Sequence, residues 1–462
     1  MEVTYKDILE DDNIRIEAEF YISDRTLTNN YKLGKDIIDF VQYGTSKELN
    51  EDNLGFPILR LNEFESHFIG EPSKYCNIIT EEVFQNLVLK QDDILICRTN
   101  GNPKYVGKSA LVMVDTNIAY ASYLFKIRPK KEFINATTLS IFLNSKYGRE
   151  EIEKYSMVSN QANFSPAKFR EIRIPIFSNT FQSKIEILVK QAYQRLEQSK
   201  TLYKQSEELL LKELDLLDFE PSKEKVAIKL FSDSFGNSGR LDSEYYQPKY
   251  NELIDKIKSY KGGYKQLTDI ANTKRGSLIP DSYYGKEGKG YIRGADISSN
   301  ILTNRKLIYI NSEFESKNET IVKTNDILFA LIGSVGTASL VTNEFNNSFL
   351  SNNLGLIRLN NSIVNPIVLH LILISKKIGK MYFEQKEMRT AQPKISDKDI
   401  YDYIIPIIDK KIQTQIEEKI KESFKLKEES KRLLEVAKRA VEMAIEEGED
   451  LAMGFIKDEV DL

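Results

Sequence analysis

Blocks of residues recur along this chain in one order, at an offset of roughly 230 positions. RIEAEFY (Arg15 to Tyr21) returns as RLDSEYY (Arg240 to Tyr246). GFPILRLNEF, from Gly55, returns loosely as GYIRGADI, from Gly290, which aligns Arg60 with Arg293. LKQDDILI (from Leu89) matches VKTNDILF (from Val322), VGKSALV (from Val106) matches VGTASLV (from Val335), and SYLFKIRP (from Ser122) matches NNLGLIRL (from Asn352). Gln161, Ser165 and Ile174-Pro175-Ile176 return as Gln392, Ser396 and Ile405-Pro406-Ile407. Any one block is an ordinary strand or turn. Their ordered recurrence is a duplication, and a fold read without it would be read wrongly. The chain is two copies of one domain-plus-helix unit.

Within each copy, DDILICR and NDILFAL are short apolar runs led by turn residues, the pattern of buried strands. NGNPKYVGK (Asn100 to Lys108) and IGSVGT (Ile332 to Thr337) follow as glycine-containing loops. Residues Ala136 to Lys154 and Pro366 to Glu384 read as helices, Pro366 suiting a first helical turn. Each lobe is therefore a mixed sheet-and-helix domain, and the fold class is α+β. Residues 182–213 contain neither Gly nor Pro, and Ile185, Val189, Ala192, Leu196, Ser199, Tyr203, Ser206 and Leu210 fall at steps of four and three. That is a coiled-coil seam with serines in it. The second copy aligns Ile416, Ile420, Ser423, Lys427, Ser430, Leu434, Ala437 and Val441. Its middle is weak, with Phe424 and Leu426 as substitute contacts. Some thirty residues of helix span roughly 45–50 Å, and two helices that cannot bury their stripes alone should pack together. The divisions are 1–178 (first lobe), 179–217 (first long helix), 218–407 (second lobe, entered through a polar connector at 215–239), 408–447 (second long helix) and 448–462 (an acidic tail).

At 462 residues, two or three domains are expected. The apolar fraction of 41% is that of a globular protein. No apolar run reaches the roughly 18 residues of a membrane span, and MEVTYKDILEDDN lacks the apolar stretch of a secretory signal. Cys76 and Cys97 cannot build a disulfide framework and fit a reducing cytoplasm as small buried hydrophobes. Net charge is −4, which by itself argues against a nucleic-acid partner. Residues 1–178 hold 26 acids against 22 bases and 218–407 hold 22 against 26, so local clustering of Lys and Arg matters more than the total.

A search for catalytic chemistry is mostly empty. His67 and His370 stand at unmatched positions, and His370 lies in an apolar helical run that favours a structural role. HExxH, paired CxxC and GxxxxGK[ST] motifs are absent, so no metal or nucleotide site is expected. Pro280-Asp281 with Glu287-Gly288-Lys289 is too tightly spaced for a nuclease metal site. The adenine-methyltransferase motifs are missing too. Binding chemistry remains. In the first lobe Tyr43, Thr45, Ser46, Lys47, Arg60, Arg98, Asn100, Asn102, Lys104 and Lys108 lie in or beside polar loops. In the second, Lys274, Arg275, Ser277, Tyr283, Tyr284, Lys286, Lys289 and Arg293 do. Such side chains hydrogen-bond phosphates and base edges, although a solvated polar loop has the same composition. Gln161, Asn163 and Ser165, with Arg389, Thr390, Gln392 and Lys394, form a second tier before each Ile-Pro-Ile, where the Ser could simply cap a helix.

Three segments carry a resemblance: GTSKELNEDNLGFPILRLNEF, DDILICRTNG…VGKSALV, and QANFSPAKFREIRIPI running into the helix. With their weaker echoes in the second half, the chain resembles the specificity (S) subunit of type I restriction–modification systems over nearly its whole length. GSVGT departs from the RTNG element, so base contacts do not carry over between lobes. The resemblance implies two target-recognition lobes in pseudo-twofold repeat, separated by long helices forming an antiparallel coiled coil. It implies a non-catalytic, DNA-binding subunit of an anti-phage defence system that recognises a bipartite, asymmetric double-stranded DNA site in the cytoplasm of a bacterium or archaeon. Its partners would be two methyltransferase subunits binding S-adenosylmethionine for DNA methylation, and two restriction subunits using ATP and Mg where present. The alternative is a scaffold whose helices assemble partners without reading DNA.

Overall fold

The structure is a computed structural model that describes residues 30–156, 162–297, 302, 307–388 and 391–460. The RIEAEFY block, Gln161, Arg389 and Thr390 lie outside the described residues. The chain forms two units, residues 1–198 with 425–462, and residues 199–424.

The strands of the first unit are β1 (Tyr31–Leu33), β2 (Ile38–Tyr43), β3 (Phe56–Leu59), β4 (Phe64–Glu65), β5 (Phe68–Ile69), β6 (Lys74–Cys76), β7 (Ile94–Cys97), β8 (Thr99–Asn100), β9 (Ser109–Leu111), β10 (Ala119–Tyr120), β11 (Leu124–Pro129), β12 (Ala162–Asn163) and β13 (Arg173–Pro175). Those of the second are β14 (Tyr264–Gln266), β15 (Ala271–Arg275), β16 (Tyr284–Gly285), β17 (Lys289–Ile292), β18 (Ile308–Ile310), β19 (Ile327–Ala330), β20 (Ala338–Leu340), β21 (Phe349–Leu350), β22 (Leu354–Leu359) and β23 (Ile404–Pro406). The longer helices are α1 (Ala136–Asn144), α2 (Lys146–Tyr155), α3 (Asn179–Glu213), α4 (Pro248–Lys258), α5 (Pro366–Ile374), α6 (Gly379–Lys386), α7 (Lys410–Glu446) and α8 (Glu449–Glu459).

In the first unit the main sheet runs β2-β11-β7-β9-β5-β4, and a smaller one runs β10-β3-β6. The second unit repeats the plan as β15-β22-β19-β20 and β16-β18-β17-β21. The apolar run of β7 explains why this strand is central. Ile94 and Ile96 join one core with Phe125, Ile127 and the helices, while Leu95 and Cys97 join another with Ala110 and Leu124. A strand with period-two side chains that is covered on both faces reads as a continuous hydrophobic run. Each β-hairpin core is pinned by a buried carboxylate. Asp93 accepts from the Lys90 amide and the Arg128 guanidinium, and Asp326 accepts from the Lys323 amide and Arg358.

Two helices stand where one was expected in each lobe. Ser145 ends α1 and caps α2, its Oγ accepting from the Gly148 amide. Gly148 and Gly379 sit so close to the preceding turn that a Cβ would lie 2.0 Å from the Phe142 carbonyl and 1.9 Å from that of Leu373. Both breaks therefore require glycine. The long helices are anchored to their lobes by matched glutamines. Gln182 accepts from the Asn135 amide and donates to the Phe177 carbonyl, and Gln413 does the same with Asn365 and Ile408.

α3 and α7 run antiparallel within each unit. In the first, Ile185, Val189, Ala192 and Leu196 are buried with Leu434, Ala437 and Val441. In the second, Leu210 is buried with Ile416 and Ile420, and Tyr203 packs against them half-buried. The weak stretch of the seam is closed by polar contact. Ser199 Oγ donates to the Ser423 carbonyl at 2.7 Å and Ser423 Oγ to the Ser199 carbonyl at 2.8 Å. Small hydroxyls there allow a close approach, and each buried hydroxyl finds an acceptor on the facing helix. Leu426 is buried and Phe424 half-buried, while Lys427 keeps partial exposure. The stretch expected to be an acidic tail is instead largely helix α8, with Ala452 and Ile456 in the first core and Glu449 accepting from the Ser178 amide. Its acidic residues hide a two-residue apolar stripe too sparse to register as periodic.

His370 is 1% exposed, its Nε2 3.1 Å from the Ala338 carbonyl. Burial lowers its pKa to about 4, and that of His67 likewise to about 4. A folded pKa below the ordinary 6.5 means that the unfolded chain takes up the proton first. Stability is complete above pH 6.5 and is lost as pH falls toward 4. Moving from pH 7 to pH 5 is expected to cost about 2 kcal/mol through His370. Denaturant titrations of the chain and of His370→Leu should show a shallower pH dependence in the variant.

Candidate nucleic-acid interface

The loop residues singled out in the first lobe converge on one end of the main sheet. β2 ends at Tyr43, and Thr45 bridges to Ala121, its amide donating to the Tyr120 carbonyl at 2.9 Å. The approach is tight: a Cβ on Gly44 would lie 2.2 Å from the Tyr120 carbonyl. The Thr45 hydroxyl accepts from the Lys47 amide at 3.2 Å, which shapes the turn and leaves Ser46 and Lys47 exposed. The Arg98 guanidinium stacks 5.2 Å from the ring centre of Tyr43, and its backbone amide donates to the Tyr123 carbonyl. β8 then pairs with β12, setting Asn100 opposite Ala162 and Asn163 opposite Thr99. This ladder joins two segments that are some sixty residues apart in sequence.

The loop between Asn100 and Lys108 has its own scaffold. Asn100 Oδ1 accepts from the Asn102 amide and Asn102 Oδ1 from the Lys104 amide. Pro103–Tyr105 form a 3-10 turn. Arg149 of α2 donates to the Lys104 carbonyl from behind. Lys104 and Asn163 are exposed and Lys108 is half-buried. Lys47, Arg98, Lys104 and Lys108 thus supply cationic groups at one loop cluster, with amides and a tyrosine beside them. That combination can pair with phosphates and base edges.

The second lobe makes the same junction by other contacts. Ile332 bridges Lys394, the Gly333 amide donates to the Pro393 carbonyl, and the Ile395 amide donates to that of Leu331. Ser277 bridges Ser351 as Thr45 bridges Ala121. Gln392 and Lys394 are exposed there. Arg275 donates through Nε to the Asn352 carbonyl and Lys274 through Nζ to that of Asn318.

Other candidates serve the fold. Arg60 donates from its guanidinium to Glu63 Oε1 at 3.0 Å and to Ser73 Oγ at 2.8 Å. Arg293 donates through its amide to Asp296, which is 1% exposed. The Arg60 guanidinium is thus closed onto its turn, whereas Arg293 closes its turn through the backbone and keeps Nε 3.9 Å from Asp296 Oδ2. Tyr283 packs on Phe314, and Tyr284 on Tyr291, both half-buried against the small core of the β16-β18-β17-β21 sheet. The Lys289 ammonium lies over Phe349 at 4.8 Å, while Lys286 stays exposed in the connection from β16 to β17. Asn62, Tyr105 and Tyr123 were not anticipated, yet they line a cavity beside Asn100 and Lys108. No periodicity marks them, because three separate loops bring them together.

Among the described residues there is no cluster of His, Cys, Asp and Glu suited to a metal ion. Among them, too, no helix is long and apolar enough to cross a membrane. Residues 262–438 match the family model of the type I restriction modification DNA specificity domain. A protein of Methanocaldococcus jannaschii, named as a type I restriction enzyme MjaX specificity subunit, is 23% identical over 317 residues, covering 66% of this chain and 67% of that one. Among solved structures, the type I restriction–modification S subunit of M. genitalium is 15% identical, covering 94% of this chain and 98% of that one with a TM-score of 0.38. The HsdS subunit of Thermoanaerobacter tengcongensis is 14% identical, covering 92% and 99% with a TM-score of 0.30.

Proposed function

We propose that this chain is a specificity subunit of the type I restriction–modification kind, which its similarity to that family supports, and that each of its lobes reads one half of a split DNA site. The observation that carries this reading is the repeated junction. In each lobe, the loop after the central strand is stitched to the segment before Ile-Pro-Ile, and polar side chains gather there. Because these loops differ in sequence and length, the two half-sites differ. The chain supplies recognition and no bond-making chemistry. Its long helices dock two methyltransferase subunits, which bring S-adenosylmethionine and methylate adenine. Restriction subunits with ATP and Mg complete the assembly where they exist.

Co-expression with the methyltransferase partner is expected to produce adenine methylation at one bipartite sequence, read by genome-wide methylation mapping. Removing the second lobe should erase that sequence. A methylome without a bipartite site, or one indifferent to the second lobe, would sink the proposal in favour of a scaffold.

A further inference from the structure

The two lobes differ most where β7 passes to β9. Eleven residues, 98–108, make that connection in the first lobe, and seven, 331–337, join β19 to β20 in the second. The extra residues fall between Asn100 and Val106 and include Tyr105. They raise one wall of an open cavity of about 640 Å³. Asn62, from the turn after β3, and Phe64, which opens β4, form a second wall, and Asn100, Lys108 and Tyr123 complete the lining.

The repeat gives an internal comparison. At the positions of Asn62, Asn100, Lys108 and Tyr123 the second lobe has Ala295, Gly333, Thr337 and Asn353, and it has nothing in the place of Tyr105. The framework around the cavity is the same in both lobes, since β3, β7, β9 and β11 correspond to β17, β19, β20 and β22. What changes is the set of side chains that line it. In a reader of two unlike half-sites, such a place is where discrimination is built.

The chemistry of the lining narrows the ligand. Phe64, Tyr105 and Tyr123 offer flat apolar faces, and Lys108 offers a cation. Burial pushes the Tyr123 hydroxyl up to about 12, so it stays protonated and can donate. The Asn100 carbonyl oxygen is engaged by the Asn102 amide. Asn62 is exposed at the rim, and its amide makes no hydrogen bond among the described residues. A free carboxamide beside aromatic faces and a cation matches a nucleobase edge on a phosphate backbone. Asparagine pairs best with adenine, through N6 and N7 together. The wall is also stiff, since Arg149 and the two asparagine turns hold it.

We propose that this cavity is the base-reading pocket of the first lobe, with Asn62 specifying an A·T pair in one half-site and Tyr105 packing beside it. The proposal rests on the DNA-reading function above. The test uses the complete chain co-expressed with its methyltransferase partner, with methylation mapped across the host genome. Asn62→Ala is expected to relax one A·T position in one half-site by roughly 10- to 100-fold, with the other half unchanged. Asn62→Asp should turn preference at that position toward cytosine, whose N4 amine a carboxylate accepts. Tyr105→Ala should relax the sequence preference within the same half-site, and Tyr105→Phe should keep it. Thermal melting of each complex checks the fold. Folded variants that keep the wild-type sequence, or that methylate less without any change in sequence preference, overturn the pocket. A wild-type complex with no bipartite sequence overturns the underlying reading instead.

Discussion

Replacing Asp93 with alanine is expected to destabilise the first lobe by roughly 3–5 kcal/mol, enough to unfold a domain of ordinary stability. Asp93 is wholly buried. It accepts from the Lys90 amide at 2.8 Å and from Arg128 Nη2 at 2.7 Å, and it lies 3.5 Å from Lys126 Nζ. Lys126 is itself only 3% exposed and donates to the Val88 carbonyl. Burial lowers the Lys126 pKa, and Asp93 works against that by favouring the charged form. Without the carboxylate, a buried ammonium loses its counter-charge and a turn amide loses its acceptor. Asp93→Asn keeps one acceptor and should cost less. Asp93→Ala combined with Lys126→Met should recover part of the loss, because the stranded cation is then gone. Hydrogen exchange followed separately on the two lobes measures this. Loss of protection should be confined to the first lobe, and equal protection in wild type and Asp93→Ala would refute the account. The second lobe carries the equivalent Asp326 with Arg358 at 2.7 Å, and there Leu356 stands where the first lobe has Lys126. The same substitution at Asp326 should therefore cost less.

The second large effect is on DNA. Under the proposed function, Lys47→Ala, Lys104→Ala and Lys108→Ala together are expected to lower the affinity of the chain's complex with a methyltransferase for DNA by roughly 100-fold at 0.15 M salt. Each phosphate contact releases about 0.9 of a counterion from B-DNA. Three lost contacts reduce the slope of log affinity against log salt by about 2.7, and extrapolation to 0.15 M gives the 100-fold. Lys47 and Lys104 are exposed and Lys108 is half-buried, so thermal melting of the triple variant checks that the fold is kept. Titrations between 50 and 200 mM salt, a range over which such slopes are resolved, read both quantities. An unchanged slope would mean that these lysines only solvate the loops, as a scaffold requires.

The elements of the fold that were legible in the sequence share a physical cause: one side chain pattern per element. DDILICR announces a strand covered on both faces because every residue of its apolar run is buried. The four-and-three spacing from Ile185 announces a helix seam because a helix turn is 3.6 residues. The site was legible only as loops. Thr45, Arg98, Asn100 and Asn163 could be named from their chemistry, but the β8–β12 ladder that sets Asn163 beside Thr99 and Asn100 is a two-residue pairing with no pattern of its own. Arg60 looked like a contact and is closed onto Glu63, because an acid three residues on completes a turn. Tyr283 and Tyr284 looked like displayed aromatics and instead pack, half-buried, against the small core of the β16-β18-β17-β21 sheet.

The sequence by itself determined that the chain is a duplication, that each copy is a mixed lobe followed by a long helix, and that the copies diverge in their loops. Recurrence and periodicity are properties of order along the chain, so no coordinates are needed to see them. The tertiary structure decided which polar residues face outward and which close on a neighbour. It decided that the final residues pack as a helix, and that Asn62, Tyr105 and Tyr123 share one cavity. Those outcomes depend on distances between residues far apart in sequence. Such distances are set by how sheets and helices pack, and no local pattern of residues records them.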